Sequence, residues 1–394
     1  MKIFPKGLSI DMNENARNGI NEDVRLFHIA DLHLGSPFSG FDVKNSEMRR
    51  LRQLDQFEHS LELAKGEGCS AVLIAGDLFD CGYADGDTVS RAFEILGKCG
   101  MPVVISPGNH DPYTEGGIYS SHSLPGNVHV FDSPEMGRID LAELGVCVHG
   151  YAFESEHYLS DPLSAGFEIC ENKFNVMCAH GDVYSPISTY APINLAQLEG
   201  SGLDYVALGH IHKYSEPLKV GKTMVAYSGF PEGRSFDECG YGGAVIVTLS
   251  KNKTPAASAE RVILSDRQYI SDTLDVTGAE SRSDILAAVR RYVESKDLGV
   301  ETCLRLTLIG NVHPNAPLSI SVPSEDMGVS LLELKNDTLP IFDAEYLEND
   351  ITLRGALYRQ LLPSMNSPDP EMRRVAVGAL RMGLAALDGR MLTS

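Results

Sequence analysis

The chain has 394 residues, 43% hydrophobic and 22% charged, with 33 basic against 54 acidic side chains and a formal net charge of −21. That length predicts one large domain with one or two smaller ones, and an acidic balance without a long Lys/Arg run excludes a surface built for general nucleic-acid attraction. The eight cysteines include no CxxC pair and no stretch approaches a membrane span, so we expect a cytoplasmic protein of reduced thiols, with no disulfide framework and no membrane contact.

The polar residues 1–23 lack the apolar core of a signal peptide and read as an N-terminal arm. From residue 24 onward short apolar runs alternate with helical patterns. "VRLFHIA" (24–30), "AVLIAG" (71–76), "PVVISP" (102–107), "FNVMCAH" (174–180) and "YVALGH" (205–210) are apolar almost throughout, as strands buried on both faces are. Between the first two, Met48, Leu51, Leu54, Phe57, Leu61 and Ala64 recur at helical spacing. "NVHVF", "GVCVHG", "TMVAYSG" and "GGAVIVTL" add further strands, more than simple βα alternation would give, so the class is α/β.

A polar stretch, "SKNKTPAASAE", closes this first domain, which we place at 24–260. Residues 261–345 read as a small βαβ-like domain: "RQYISDTLDVT", a helix N-capped by Ser281 or Ser283, then the alternating Thr302, Leu304, Leu306 and Leu308. A helical tail follows at 346–394, with a helix start at Asp369-Pro370-Glu371 and an apolar stripe of Met372, Val375, Leu380, Leu384 and Leu387.

Five of the strands end in potential metal ligands, usually beside glycine. They deliver Asp31 and His33 ("ADLHLG"), Asp77 and Asp80 ("GDLFD"), Asn109, His110 and Asp111 ("GNHDP"), His180 ("AHGD"), and His210 and His212 ("GHIH"). In open α/β sheets, ligands bind beyond the carboxyl ends of strands, which would aim these side chains into one crevice. Asp31 and His33 point the same way if strand geometry persists, and His210 and His212 repeat the spacing. Mixed imidazole and carboxylate suit manganese, iron or zinc better than magnesium or calcium. A lone Asp after a strand is more often a turn or a cap, and a lone His in an apolar run is more often core; five such ends in order are not explained by turn chemistry.

The series DxH…GDxxD…GNHD…H…GHxH resembles the calcineurin-like metallophosphoesterases in order and spacing over residues 24–250. The wording of "HIADLHLG", "LIAGDLFD", "GNHDP" and "YSGFPEGRSFDECGYGGAVIV" is similar to their DNA-repair exonuclease branch, the SbcD-like nuclease subunits. The resemblance implies a two-sheet β-sandwich flanked by helices, a capping domain after it, and a site for two divalent metal ions, manganese first and iron or zinc as alternatives. It implies that Asp31, His33 and His212 hold one metal, that Asn109, His180 and His210 hold the other, and that Asp77 bridges them. His110 would protonate the leaving oxygen or steady the transition state, and Asp111 would orient His110.

Where some nucleases of this branch carry a histidine after "GDLF", this chain has Asp80, which we expect to act from behind the ligands. His122 and Arg234 are the remaining candidates for substrate contact, with a surface ion pair the competing reading for Arg234. The expected activity is metal-dependent hydrolysis of DNA phosphodiesters. A small phosphate ester is the alternative substrate, favoured by the acidic surface, and a non-catalytic scaffold is the alternative class. DNA, a second copy of the chain and an ATPase subunit are the expected partners.

Overall fold

A computed structural model describes residues 23–38, 43–313, 316, 322–341 and 343–387; the expected N-terminal arm lies outside them, apart from its last residue. The chain divides into two units, Met1–Asp266 and Arg267–Ser394.

The first unit runs β1 (Asp23–Ile29), α1 (Val43–Gly66), β2 (Ala71–Ile74), α2 (Gly86–Lys98), β3 (Val103–Ile105), the single turn α3 (Ile118–Ser121), β4 (Val128–Val130), β5 (Gly137–Leu141), β6 (Val146–Gly150) and β7 (Phe174–His180). It continues with the single turn α4 (Leu195–Leu198), β8 (Tyr205–Gly209), β9 (Leu218–Val220), β10 (Thr223–Tyr227), β11 (Gly240–Ser250) and the start of β12 (Ala257–Asp275).

Two sheets form. One has the order β12-β11-β1-β2-β3-β4, with β1 to β4 mutually parallel; the other has the order β5-β6-β7-β8-β10-β9, with β6, β7, β8 and β10 parallel. Alternation along each strand divides the apolar side chains between layers. Leu26, Leu73, Val104 and Val247 of the first sheet meet Val148, Val176, Cys178 and Ala207 of the second in one buried core. Phe27, Ile29, Val72, Ile74 and Val103 face the other way, onto Leu54, Phe57 and Leu61 of α1 and Val89, Phe93 and Leu96 of α2. The outer face of the second sheet is covered by Leu163, Ile193 and Leu198. The central strands β2, β3, β6, β7 and β8 are therefore buried on both faces, which is why they read as continuous apolar runs, whereas the outer β4, β5 and β9 are partly exposed. This is the expected two-sheet α/β architecture flanked by helices.

Three expectations need correcting. On α1, Met48 and Leu51 are 46% and 64% exposed; the first turns bury Ser46, Arg49 and Gln53 instead, and the apolar part of the buried stripe begins at Leu54. The expected boundary at 260 falls inside β12, because that strand begins in the first unit, where Ala257 and Leu264 are buried, and continues into the second. The sulfurs of Cys147 and Cys170 are joined as a disulfide, although the spacing of the cysteines gave no framework; six others are free.

In the second unit the rest of β12 pairs in parallel with β13 (Thr302–Ile309) across α5 (Arg282–Ser295), the βαβ connection expected. Ser281 is the N-cap of α5, in a reciprocal capping box with Asp284. After the two-residue β14 (Asn311–Val312) come β15 (Leu331–Asn336), parallel to β13, and β16 (Leu339–Pro340), paired with β14. Then come α6 (Ala344–Asn349), α7 (Leu353–Met365) and α8 (Pro370–Leu387). Leu380 and Leu384 of the expected α8 stripe are buried with Leu347 and Tyr358, whereas Met372, Val375 and Leu387 are 50%, 57% and 44% exposed. Among the described residues, no helix is long and apolar enough to cross a membrane.

Candidate metal centre

β1, β2 and β3 are parallel neighbours, so their C-terminal ends open on one edge of the first sheet; β7 and β8 do the same in the second. Every candidate ligand leaves one of these ends. The loops after β1 and β2 stay laddered beyond the strands, with Asp31 N donating to Gly76 O at 3.1 Å and His33 N to Asp77 O at 2.9 Å. Strand geometry itself does not persist. Asp31, His33, Asp77 and His210 have φ of 54°, 45°, 52° and 98°, a region that costs free energy for residues with a Cβ. Asp31 and His33 converge because each is turned left-handed, not because they alternate along a strand. Such strain, held by backbone ladders and packing, marks a functional site.

Ligand atoms of Asp31, His33, Asp77 and His212 lie within 4.8 Å of one another. Asp77 Oδ2 stands 3.5 Å from His33 Nε2 and 3.4 Å from His180 Nε2, and so touches both expected ligand groups. On the second side His180 Nε2 is 2.9 Å from Asn109 Oδ1, and the His180 and His210 ring centroids are 5.3 Å apart. Asp31 Oδ1 accepts from His210 N at 3.0 Å, and Asp77 Oδ1 accepts from His110 N at 2.9 Å. Each carboxylate thus uses one oxygen to hold the loop of another strand and turns the other inward.

The electrostatics point to a cation. Burial pushes the Asp77 carboxyl well above its usual range, with the charges of Asp111 and Asp31 adding to it, and burial raises Asp31 too. Burial pulls His33 and His180 well below the ordinary histidine value, helped by Arg234 at His33 and by His210 at His180, and it lowers His210 to about 4. Neutral imidazoles facing buried carboxylates are metal-ligating groups awaiting positive charge. Asp31 Oδ2 and His33 Nδ1 are buried with no hydrogen-bond partner among the described residues, an orphaning that a bound cation near the carboxylate relieves. The residues fit divalent metal ions.

His110 lies at the mouth, its side chain 48% exposed, with its ring centroid 4.6 Å from that of His33. The carboxylate facing it is that of Asp80, whose Oδ1 is 3.6 Å from His110 Nδ1. Asp111 does not orient His110. Its Oδ1 accepts from Gly108 N at 2.8 Å and Asp77 N at 3.0 Å, and its Oδ2 accepts from Leu78 N, Phe79 N and the Tyr119 hydroxyl at 2.8, 3.2 and 2.6 Å. Fully buried, Asp111 clamps the β2 loop to the β3 loop, and burial, opposed by the Tyr119 hydrogen bond, raises its pKa to about 6.

His212 Nδ1 pairs with Glu238 Oε1 at 2.8 Å, and Arg234 forms a fork onto the same carboxylate and donates to Ser36 Oγ at 3.2 Å. Burial alone would lower His212, but the Glu238 hydrogen bond and the Asp31 charge raise it; Glu238 falls to about 2 because His212 and Arg234 outweigh its burial. Arg234 therefore belongs to an ion pair behind a ligand. His122 donates from Nδ1 to Ile118 O at 2.9 Å, packs near Phe93, and joins none of these groups.

Glu238, Asp80 as partner of His110, and Tyr119 were missed. Glu238 had a signal, sitting four residues after Arg234 in "GRSFDE"; Tyr119 had none.

The pattern of the calcineurin-like phosphoesterase family matches residues 24–214. An uncharacterized metallophosphoesterase of Bacillus subtilis, YhaO, is 28% identical over 306 residues, 73% of this chain and 72% of that protein. The SbcD chain of the nuclease SbcCD, from the same organism, is 25% identical over 286 residues, covering 63% and 71%. The DNA double-strand break repair protein Mre11 of Methanopyrus kandleri is 26% identical over 239 residues, covering 55% and 50%. The strand-end constellation and the matched sequence coincide, and the chain carries a calcineurin-like metallophosphoesterase domain.

Proposed function

We propose that the protein hydrolyses DNA phosphodiester bonds at a centre for two divalent metal ions. The observation that carries the phosphoesterase reading is Asp77 Oδ2, 3.5 Å from His33 and 3.4 Å from His180, one carboxylate common to two groups of ligands. In this reading Asp31, His33 and His212 hold one ion, Asn109, His180 and His210 the other, and Asp77 both; manganese suits the mixed donor set, with iron or zinc next. When bound, such ions supply Lewis-acid charge to the phosphate and acidify attacking water.

The chain's own residues do the rest. His110, half exposed beside the ligands, delivers a proton to the departing oxygen, and Asp80, 3.6 Å from its Nδ1, orients the ring. Glu238 and Arg234 fix the His212 ring by its Nδ1, leaving Nε2 turned to His33 and the centre.

DNA as substrate is supported by two relatives with nuclease or DNA-repair names. The net charge of −21 favours the second reading, a nucleotide or other small phosphate ester. We assign the protein to the cytoplasm, the second unit to the selection of polymeric substrates, and the exposed part of the α8 stripe to a partner, a second copy or an ATPase subunit. Metal-loaded protein tested on a diester dye, a monoester dye and linear DNA decides the substrate. Good dye cleavage with single- and double-stranded DNA left intact at low salt would replace DNA by a small ester.

A further inference from the structure

A second cluster of metal-ligating side chains lies in the first unit, outside the strand-end centre. Cys147 and His149, two apart on β6, point to the same face, while Val146 and Val148 between and beside them enter the inter-sheet core. Cys170 comes from the loop before β7, and the two sulfurs and one ring nitrogen of His149 lie within 4.8 Å of one another.

Asn175 holds this arrangement. Its Oδ1 accepts from Cys170 N at 2.8 Å, and its Nδ2 donates to Cys170 O at 3.0 Å and Lys173 O at 3.1 Å. Three backbone partners therefore settle which end of the amide is oxygen. His149 Nε2, 3.0 Å from that oxygen, must carry the proton, and Nδ1 keeps its lone pair. A buried amide that fixes a tautomer in this way is what a ligating histidine needs behind it. Burial keeps the ring neutral, against the raising effect of Asn175. The disulfide uses two sulfurs only; it gives no role to an oriented imidazole beside them.

We propose that Cys147, His149 and Cys170, with both thiols reduced, bind a thiophilic divalent cation, zinc by its chemistry, at a site separate from the strand-end centre. Two thiolates and one imidazole are a zinc donor set that leaves a fourth position open, and binding releases the thiol protons. The site shares no residue with the first. Asn175 precedes His180 by five residues on β7, roughly 16 Å at strand rise. The donors also differ in softness, so the two sites take different ions from a mixture. The disulfide and the bound ion are alternative states of one sulfur pair: a reducing compartment favours the ion.

The test uses the full-length protein, reduced with a phosphine, desalted under nitrogen and titrated with Co2+. A thiolate-to-cobalt charge-transfer band in the near ultraviolet, saturating at about one equivalent and abolished by zinc, is expected. The band persists in Asp77→Asn and disappears in Cys170→Ser. A second measurement needs no variant: added zinc protects about two thiols of the reduced wild-type chain from a thiol-reactive dye, as two ligating thiolates require. His149→Ala lowers zinc affinity at least about tenfold. Absence of the band with the thiols shown reduced, unprotected thiols, or sulfurs that stay bonded under the phosphine would each overturn the proposal, the last making the pair a structural disulfide.

Discussion

Asp77 and Asp111 are both buried aspartates after parallel strands, yet their surroundings give them opposite tasks. Asp77 spends one oxygen on the His110 amide and turns the other to two imidazoles. Asp77→Asn is therefore expected to weaken binding at both ligand groups, whereas Asp31→Asn empties mainly one; elemental analysis checks this, and two equivalents retained in Asp77→Asn would refute the shared role. Asp111 has no oxygen left for chemistry. Asp111→Ala orphans four amides and a hydroxyl, and since each buried donor costs about 1–3 kcal/mol, a loss of at least about 3 kcal/mol in a urea melt is expected. His110→Ala should keep its metal and lose about 10²–10⁴-fold in turnover. Asp80→Asn should leave the melt and the metal content unchanged while lowering kcat more than it changes KM, an effect a purely structural residue would not have.

At the scale of elements, the centre depends on strand-end loops approaching closer than side chains usually permit. Gly76 has φ 87°, and a Cβ there would run into the His180 ring. Gly76→Ala should lower the melting temperature and reduce bound metal, since either the strained backbone or His180 must move; unchanged metal content would show that the contact is slack. The central strands were legible because they are buried on both faces, so apolar runs and strands coincide there. The helix α1 was only half legible: Met48 and Leu51 continue the spacing of Leu54 and Phe57, but in the first turns the buried positions are the polar Ser46, Arg49 and Gln53. Asp80, Glu238 and Tyr119 carry no periodicity, and their partners lie 30, 26 and 8 residues away, so only the fold pairs them with His110, His212 and Asp111.

For the whole molecule, β12 belongs to both units, so a chain ending before it would strip a strand from the first sheet. A chain ending at Asp266 is expected to keep hydrolysis of a small diester dye and to lose most DNA hydrolysis, because every proposed ligand precedes residue 213. Equal loss on both substrates would place part of the chemistry in the second unit. His28 tests how the two sheets respond to acid. Its Nδ1 meets the Tyr205 hydroxyl and its Nε2 meets Leu208 O, at 2.9 and 3.1 Å, and burial lowers its pKa to about 3. As pH falls below the ordinary value of about 6.5, the unfolded chain takes up a proton that the folded chain refuses. Stability then falls by about 1.4 kcal/mol per pH unit from this group until about pH 3. Asp111, raised to about 6, acts in the opposite direction over its own window. Urea melts of chelator-treated protein between pH 4 and 6.5 should therefore be less steeply pH-dependent in His28→Gln than in the wild type, by about one proton.

The amino-acid sequence by itself determined the α/β class, the strands, the βαβ unit after residue 266, and the identity and order of the strand-end groups. These are local consequences of burial on two faces and of side chains available where strands stop. Tertiary structure alone decided how those groups act. It turned Asp31 and His33 left-handed so that they converge, gave Asp77 two neighbours from different sheets, took Asp111 away from His110 and put Asp80 in its place, and set Cys147 beside Cys170. The reason is that a carboxylate, an imidazole or a thiol takes its role from the groups within a few ångströms of it, and those come from loops that are distant in sequence.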